Sequence, residues 1–306
     1  MLLSLGSVAR LAEPKLDKVP RLSRALLLAG DPPSSLWVVS QDKMRKVQVD
    51  DELGRSSLIS ASMSADGTIV ASAHRIHGDS FTRSPRLLVS TYSTTTGKWT
   101  DHKDLEVVGG AVAISPDGSH LACFARKMPD ATSGLRVLDL NTERIVAGPE
   151  LPERAGSAIS WSPDGRSLAF DWANGMSPGL EVAIFVWDVH TKALRRLTNG
   201  LSPAWSPSGE WIAFVDLPDP AHSGLEYRFA LVHPDGTGYR ALMRFHSDVV
   251  PRLQPVWSPD STTLLVNTSR NPDEDSFNLD TLDLATLKRT TRFNNTRPVF
   301  AWALAK

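Results

Sequence analysis

One four-residue pattern recurs five times and restricts this 306-residue chain more than any other feature. Its copies are Ser64-Ala65-Asp66-Gly67, Ser115-Pro116-Asp117-Gly118, Ser162-Pro163-Asp164-Gly165, Ser206-Pro207-Ser208-Gly209 and Ser258-Pro259-Asp260-Ser261, spaced 44 to 52 residues apart. Proline presets φ at the first corner, aspartate can bond back to the backbone, and glycine accepts positive φ, so each copy reads as a tight turn between antiparallel strands. Apolar residues flank every turn at fixed offsets: Met63, Ile114, Trp161, Trp205 and Trp257 just before it, and Val70, Leu121, Leu168, Ile212 and Leu264 three residues after its last position. Each is the corner of a hairpin.

Beyond each hairpin lie a variable polar stretch and another apolar run, such as Leu135-Arg136-Val137-Leu138 or Val182-Ala183-Ile184-Phe185-Val186-Trp187. A second turn follows at Asp139-Leu140-Asn141-Thr142, Asp188-Val189-His190-Thr191, His233-Pro234-Asp235-Gly236 and Asp283-Leu284-Ala285-Thr286, and a short last segment completes four strands per unit. Units of this length with four strands each are the signature of propeller blades, which stack because no blade can bury both faces alone. The expected fold is therefore all-β: a six-bladed β-propeller of four-stranded antiparallel blades. Five blades carry a turn. The sixth is assembled from the C-terminal run Pro298-Val299-Phe300-Ala301-Trp302 and three N-terminal runs beginning at Ala25, Leu36 and Lys46. Pairing the C-terminal strand with the N-terminal blade closes the ring and removes an exposed edge. Residues 1–20 read as an N-terminal lead-in that is poorly ordered or edges a blade, polar and Pro-bounded from Ala12 to Pro20, and 21–306 as one propeller domain.

The segment Trp161-Ser162-Pro163-Asp164-Gly165-Arg166-Ser167-Leu168-Ala169-Phe170 resembles the WD40-like PD40 repeat of TolB-type six-bladed propellers, and the resemblance runs from about Ala25 onward. It implies the propeller fold and no particular chemistry, because the repeat serves translocation proteins, lipoprotein-associated propellers and non-catalytic domains of prolyl peptidases. The chain differs from the family in lacking a recognisable export signal and a helical N-terminal domain. Its localisation is unassigned: no signal peptide is evident as given, and an upstream start would make the protein exported or membrane-associated.

Charge narrows the partners. With 33 Lys+Arg against 34 Asp+Glu the net charge is -1, which gives none of the long-range field on which nucleic-acid binding depends. No stretch is long and apolar enough for a transmembrane helix. The single Cys123 excludes an intrachain disulfide and reads as a small buried hydrophobe. Trp161, Trp205, Trp257 and Trp302 share one repeat position and are expected to pack between blades, with Ala71, Ala122, Ala169 and Ala213 at another crowded contact.

Function is sought on the face opposite the Ser-Pro-Asp-Gly turns, where the longer loops emerge around the channel mouth. The candidate binding residues there are His74, His77, Asp79, Trp172, His222, Glu226, His246, Asp248, Arg252, Arg270 and Asp273. His74 to Asp79 with His222, Glu226, His246 and Asp248 could in principle hold a metal, but nothing matches a full ligand spacing, so no metal and no cofactor are expected. No Gly-x-Ser-x-Gly, phosphate-cradling loop or His-Glu-x-x-His stands in the chain. The reading is a monomeric, non-catalytic scaffold for a protein or peptide partner. The alternative is a single-domain propeller enzyme of lyase, cyclase or hydrolase type acting at the channel mouth.

Overall fold

A computed structural model of the protein describes residues 25–31, 35–39, 44–47, 56–76, 86–127, 132–151, 156–174, 181–216, 227–245, 250–251, 254–269, 277–296 and 299–304. Three strands open the chain: β1 (Ala25–Asp31), β2 (Ser35–Val39) and β3 (Met44–Val47). The turn-bearing repeats then give β4 (Ser56–Met63), β5 (Ile69–Ile76), β6 (Arg86–Ser93) and β7 (Trp99–Asp101), followed by β8 (Val107–Ile114), β9 (His120–Lys127), β10 (Thr132–Asp139) and β11 (Ile145–Leu151). Next come β12 (Ile159–Trp161), β13 (Ser167–Asn174), β14 (Glu181–Asp188) and β15 (Leu194–Asn199), then β16 (Leu201–Trp205), β17 (Ile212–Asp216), β18 (Tyr227–Val232) and β19 (Arg240–Phe245). The remainder is β20 (Val250–Pro251), β21 (Val256–Trp257), β22 (Thr263–Ser269), β23 (Phe277–Asp283), β24 (Arg289–Thr296) and β25 (Val299–Leu304).

The fold is an all-β propeller of four-stranded antiparallel blades. Five blades are built from consecutive strands, each in sequence order from channel to rim. Where a sixth self-contained blade would stand, the two ends of the chain share a composite sheet ordered β25-β1-β2-β3, with Ala25 opposite Leu304 and Ala29 opposite Val299. In the blade that ends with β24 the inner strand is split: β20 and β21 both pair with β22. Pro251 and Pro255 lie at this interruption and lack the N–H that a continuous ladder needs.

Facing sheets bury apolar side chains between them. Phe124, Leu135 and Val137 of one blade pack on Trp161, Leu168, Phe170 and Trp187 of the next, and Phe229 and Leu231 pack on Trp257, Leu264 and Val266 further round. Ala71, Ala122, Ala169 and Ala213 are all fully buried, as their repeat position requires.

All five turns adopt one structure, including the three whose sequences depart from Ser-Pro-Asp-Gly. In each, the first serine Oγ accepts the N–H five residues on: Ile69, His120, Ser167, Trp211 and Thr263 at 2.9–3.0 Å. The same hydroxyl bonds to the third residue, which is an aspartate in four turns and Ser208 in the other. Ser261 takes the glycine position at φ 61, and its Oγ accepts the Ser208 N–H of the neighbouring turn at 2.9 Å. A side-chain bond between turns thus accompanies the strained backbone.

Candidate functional site

Because every inner strand runs toward its Ser-Pro-Asp-Gly turn, the turns ring one end of the axial channel. A cavity of about 410 Å³ opens there, walled by residues from β4, β8, β12, β16, β21 and β25. Its wall mixes apolar and aromatic side chains, among them Met63, Ile114, Phe300, the turn prolines Pro116, Pro163 and Pro207 and the indoles of Trp161, Trp205, Trp257 and Trp302, with the polar Ser62, Ser160, Ser206 and Gln254. The sequence assigns these four tryptophans to inter-blade packing, and Trp161, Trp205 and Trp257 pack in clusters between blades. Trp161 and Trp257 are buried and donate Nε1–H to the backbone oxygens of Ala113 at 3.1 Å and Ala204 at 2.9 Å on the preceding blade. Trp205 donates instead to Gly209 of its own turn at 3.2 Å, and both Trp205 and Trp302 are half-buried, so they present ring surface to the cavity.

Gln254 divides the channel. Its Nε2 donates to Ile159 O at 3.2 Å and to Pro203 O, tying three blades together, and it lines both the turn-face cavity and a second one of about 250 Å³ beyond. That inner cavity is walled by Ile59, Ser60, the Gly109-Gly110 bulge, Ser157, Ser202 and Val299. Gly110 has φ +77, and a Cβ there would stand 2.7 Å from Ile59 Cγ2. Neither lining contains a titratable side chain among the described residues.

Near the inner cavity lies a buried carboxylate. The Asp171 carboxylate, buried in β13, accepts Ser157 N–H and Ala158 N–H on Oδ1 at 2.5 and 3.0 Å. On Oδ2 it accepts the Ser157 hydroxyl at 2.5 Å and Ser202 N–H of the next blade at 2.8 Å. Burial pushes its pKa up, while these donors oppose the rise. Gly156 is obligatory beside it, since a Cβ would come within 1.8 Å of Asp171 O.

The turn face carries the opposite electrostatics. Asp164 and Asp260 are held below the usual carboxylate range by the Ser162 and Ser258 hydroxyls; Asp117 falls below it despite partial burial, through bonds from Ser115 and Ser119. Asp139, Asp188, Asp235 and Asp283 in the outer turns are lowered in the same direction by backbone N–H groups and threonine hydroxyls of their own turns.

Of the residues singled out on the opposite face, His74 and Trp172 are described, and both depart from expectation. The ladders outrun the sequence reading: His74 pairs with Leu88 inside the β5–β6 ladder, and Trp172 with Ala183 inside β13–β14. His74 is buried with Nε2 3.0 Å from Ser72 Oγ, and Trp172 is buried in the core against the neighbouring blade, so neither is presented by a loop. His77, Asp79, His222, Glu226, His246, Asp248, Arg252, Arg270 and Asp273 lie outside the described residues. Cys123 is buried as expected, and burial pushes its thiol pKa up to about 12. Sequence reasoning passed over Asp171 and Gln254. The first carried a signal, a lone carboxylate in the apolar run Leu168-Ala169-Phe170-Asp171-Trp172; the second carried none.

No protein-family model matches the chain, and no curated protein matches it. Solved structures do. TolB from Acinetobacter baumannii superposes with a TM-score of 0.67 at 18% identity, covering 92% of this chain and 66% of that one, so the chain spans just under two thirds of that relative's length. A putative TolB from Agrobacterium tumefaciens gives 0.62 at 19%, covering 90% and 91%. An oligogalacturonate lyase in complex with manganese gives 0.53 at 14%, covering 89% and 74%. At such identities the likeness establishes the propeller fold alone.

Proposed function

We propose that the protein is a non-catalytic scaffold that binds a segment of a protein or peptide in the turn-face mouth of its channel. The observation that carries this is the wall itself: half-buried indoles of Trp205 and Trp302 beside Met63, Phe300 and three prolines, in a concavity of about 410 Å³. Concavities that set aromatic rings beside a few polar groups capture apolar side chains and orient the backbone that carries them, and the described lining offers no general acid or base to a substrate. Nine of the eleven residues proposed on the loop face from sequence lie outside the described residues, and the turn-face cavity supports the other end. We also read β25-β1-β2-β3 as a sixth blade closing the ring within one domain; the continuous register from Ala25↔Leu304 to Leu28↔Ala301 supports this.

Affinity capture from the native source with the wild-type chain and Met63→Asp tests the reading. A protein retained by the first and lost by the second is expected, because a buried charge in the wall penalises an apolar ligand. Equal retention by both sinks the proposal. Recovery of a metabolite alone would favour the enzyme.

A further inference from the structure

The composite sheet has no Ser-Pro-Asp-Gly turn. Where the five blades join their inner and second strands, this sheet brings Ala25, the start of β1, opposite Leu304, the end of β25. Ala25, where the described chain begins, therefore lies on the turn face, one strand away from Phe300 and Trp302 in the cavity wall. Val19 is six residues before Ala25, and six extended residues reach about 20 Å.

The segment is suited to that wall. Leu16, Val19 and Leu22 recur every third residue, and so do Lys15, Lys18, Arg21 and Arg24, around Pro20. A period of three with proline is the period of a polyproline II strand, which puts the apolar residues on one side and the basic ones on another, and aromatic grooves recognise such strands. Charge agrees as well. Arg10, Lys15, Lys18, Arg21 and Arg24 outnumber Glu13 and Asp17 in the segment, whereas the inner turns carry Asp66, Asp117, Asp164, Glu210 and Asp260 against Arg166.

We infer that residues 15–24 of this chain dock in the turn-face mouth, with Leu16, Val19 and Leu22 against the indoles of Trp205 and Trp302 and the basic residues over the turn carboxylates. This rests on the mouth being a peptide site, as proposed above, and it makes the segment a built-in competitor for any partner that enters there. Docking an attached segment costs little association entropy, so a modest contact suffices to fill the site.

The test uses the full chain carrying Val19→Cys. Cys123 is buried and its thiol is pushed up to about 12, so a bimane thiol probe labels position 19 alone. Bimane is quenched on contact with indole. Quenching is expected at low salt, relieved in part by Trp205→Phe or Trp302→Phe and fully by combining both with 1 M salt, an ionic strength that screens the turn carboxylates. Phenylalanine keeps each position apolar, and unchanged circular dichroism would confirm that each variant is folded. Unquenched bimane in the wild-type wall, or quenching indifferent to both substitutions, overturns the inference. Quenching that rises with protein concentration also overturns it, in favour of a second copy as the occupant. If quenching is absent while Met63→Asp still abolishes partner capture, only the self-docking fails and the partner site stands.

Discussion

Replacing Asp171 by Asn sets two effects of known sign against each other. If the Asn oxygen keeps the Ser157 and Ala158 N–H groups, its amide nitrogen meets the Ser202 N–H, which the carboxylate now accepts at 2.8 Å. Ser157 Oγ can turn and accept from the new amide, but a backbone N–H cannot. One orphaned donor at a confined position costs about 1–3 kcal/mol. On the other side, Asn removes the burial of a charged group, the largest influence on Asp171. That relief is set against lost charge assistance in the bonds that remain, roughly 1 kcal/mol for each. Relief of burial offsets the lost assistance, leaving the orphan as the net effect: a destabilisation of about 1–3 kcal/mol, or roughly 2–5 °C in Tm for a chain of this size. Asp171→Ala, which strands all four donors, is expected to lose about 3–5 kcal/mol. Urea and thermal unfolding at pH 7, followed by tryptophan fluorescence, measure both. An Asn variant as stable as the wild type, or more so, would refute the reasoning and show that charge burial dominates.

Glu143 and Leu287 hold φ 57 and 55 at the turn position where Gly97 has φ 72, so Glu143→Gly and Leu287→Gly should each stabilise by about 0.5–1 kcal/mol, and a lower urea midpoint in either would count against this. Gly156→Ala and Gly110→Ala, whose new Cβ atoms would meet Asp171 O at 1.8 Å and Ile59 Cγ2 at 2.7 Å, should cost at least several kcal/mol and leave little soluble protein; normal yield and melting would contradict the packing described. The lowered pKa values of Asp117, Asp139, Asp164, Asp188, Asp235, Asp260 and Asp283 contribute stability that is fully present above the ordinary carboxylate range and is lost as pH falls through their lower folded values. Asp171, raised by burial, acts with opposite sign but is one group against seven. Unfolding free energy should therefore drop below about pH 4, less steeply in Asp164→Asn, and a flat profile there would sink the argument. Cys123 should react with thiol reagents only at the rate of global unfolding, with fast native labelling as the contrary result.

The fold was legible because its signals are local. Serine hydroxyl, aspartate and glycine act within six residues of one another, so five turns could be located from the string, and even Ala65, Ser208 and Ser261 did not disguise them. The composite sheet was legible for a different reason, since Phe300-Ala301-Trp302 stands in the same register as Pro255-Val256-Trp257 of the preceding blade. The site was not. Gln254 acts through its reach to carbonyls on two other blades, and Trp205 differs from Trp161 only in which oxygen its indole finds; both depend on distances between blades that no local pattern encodes. His74 and Trp172 failed as rim candidates because polar or aromatic residues at a strand end read alike whether the ladder stops before them or continues.

The pairing of Ala25 with Leu304 has a consequence for how the protein is made. On a ribosome β1 emerges first and its partner β25 last, so the first strand must wait through the synthesis of everything between them. Closing so long a span in an unstructured chain is dearer than closing a hairpin by about 4 kcal/mol, some six doublings of loop length. Once the intervening blades have folded in order, each from neighbouring strands, the effective span is far shorter than that of the unstructured chain. The geometry thus favours vectorial folding, with the blades setting in turn and the oldest strand captured at the end.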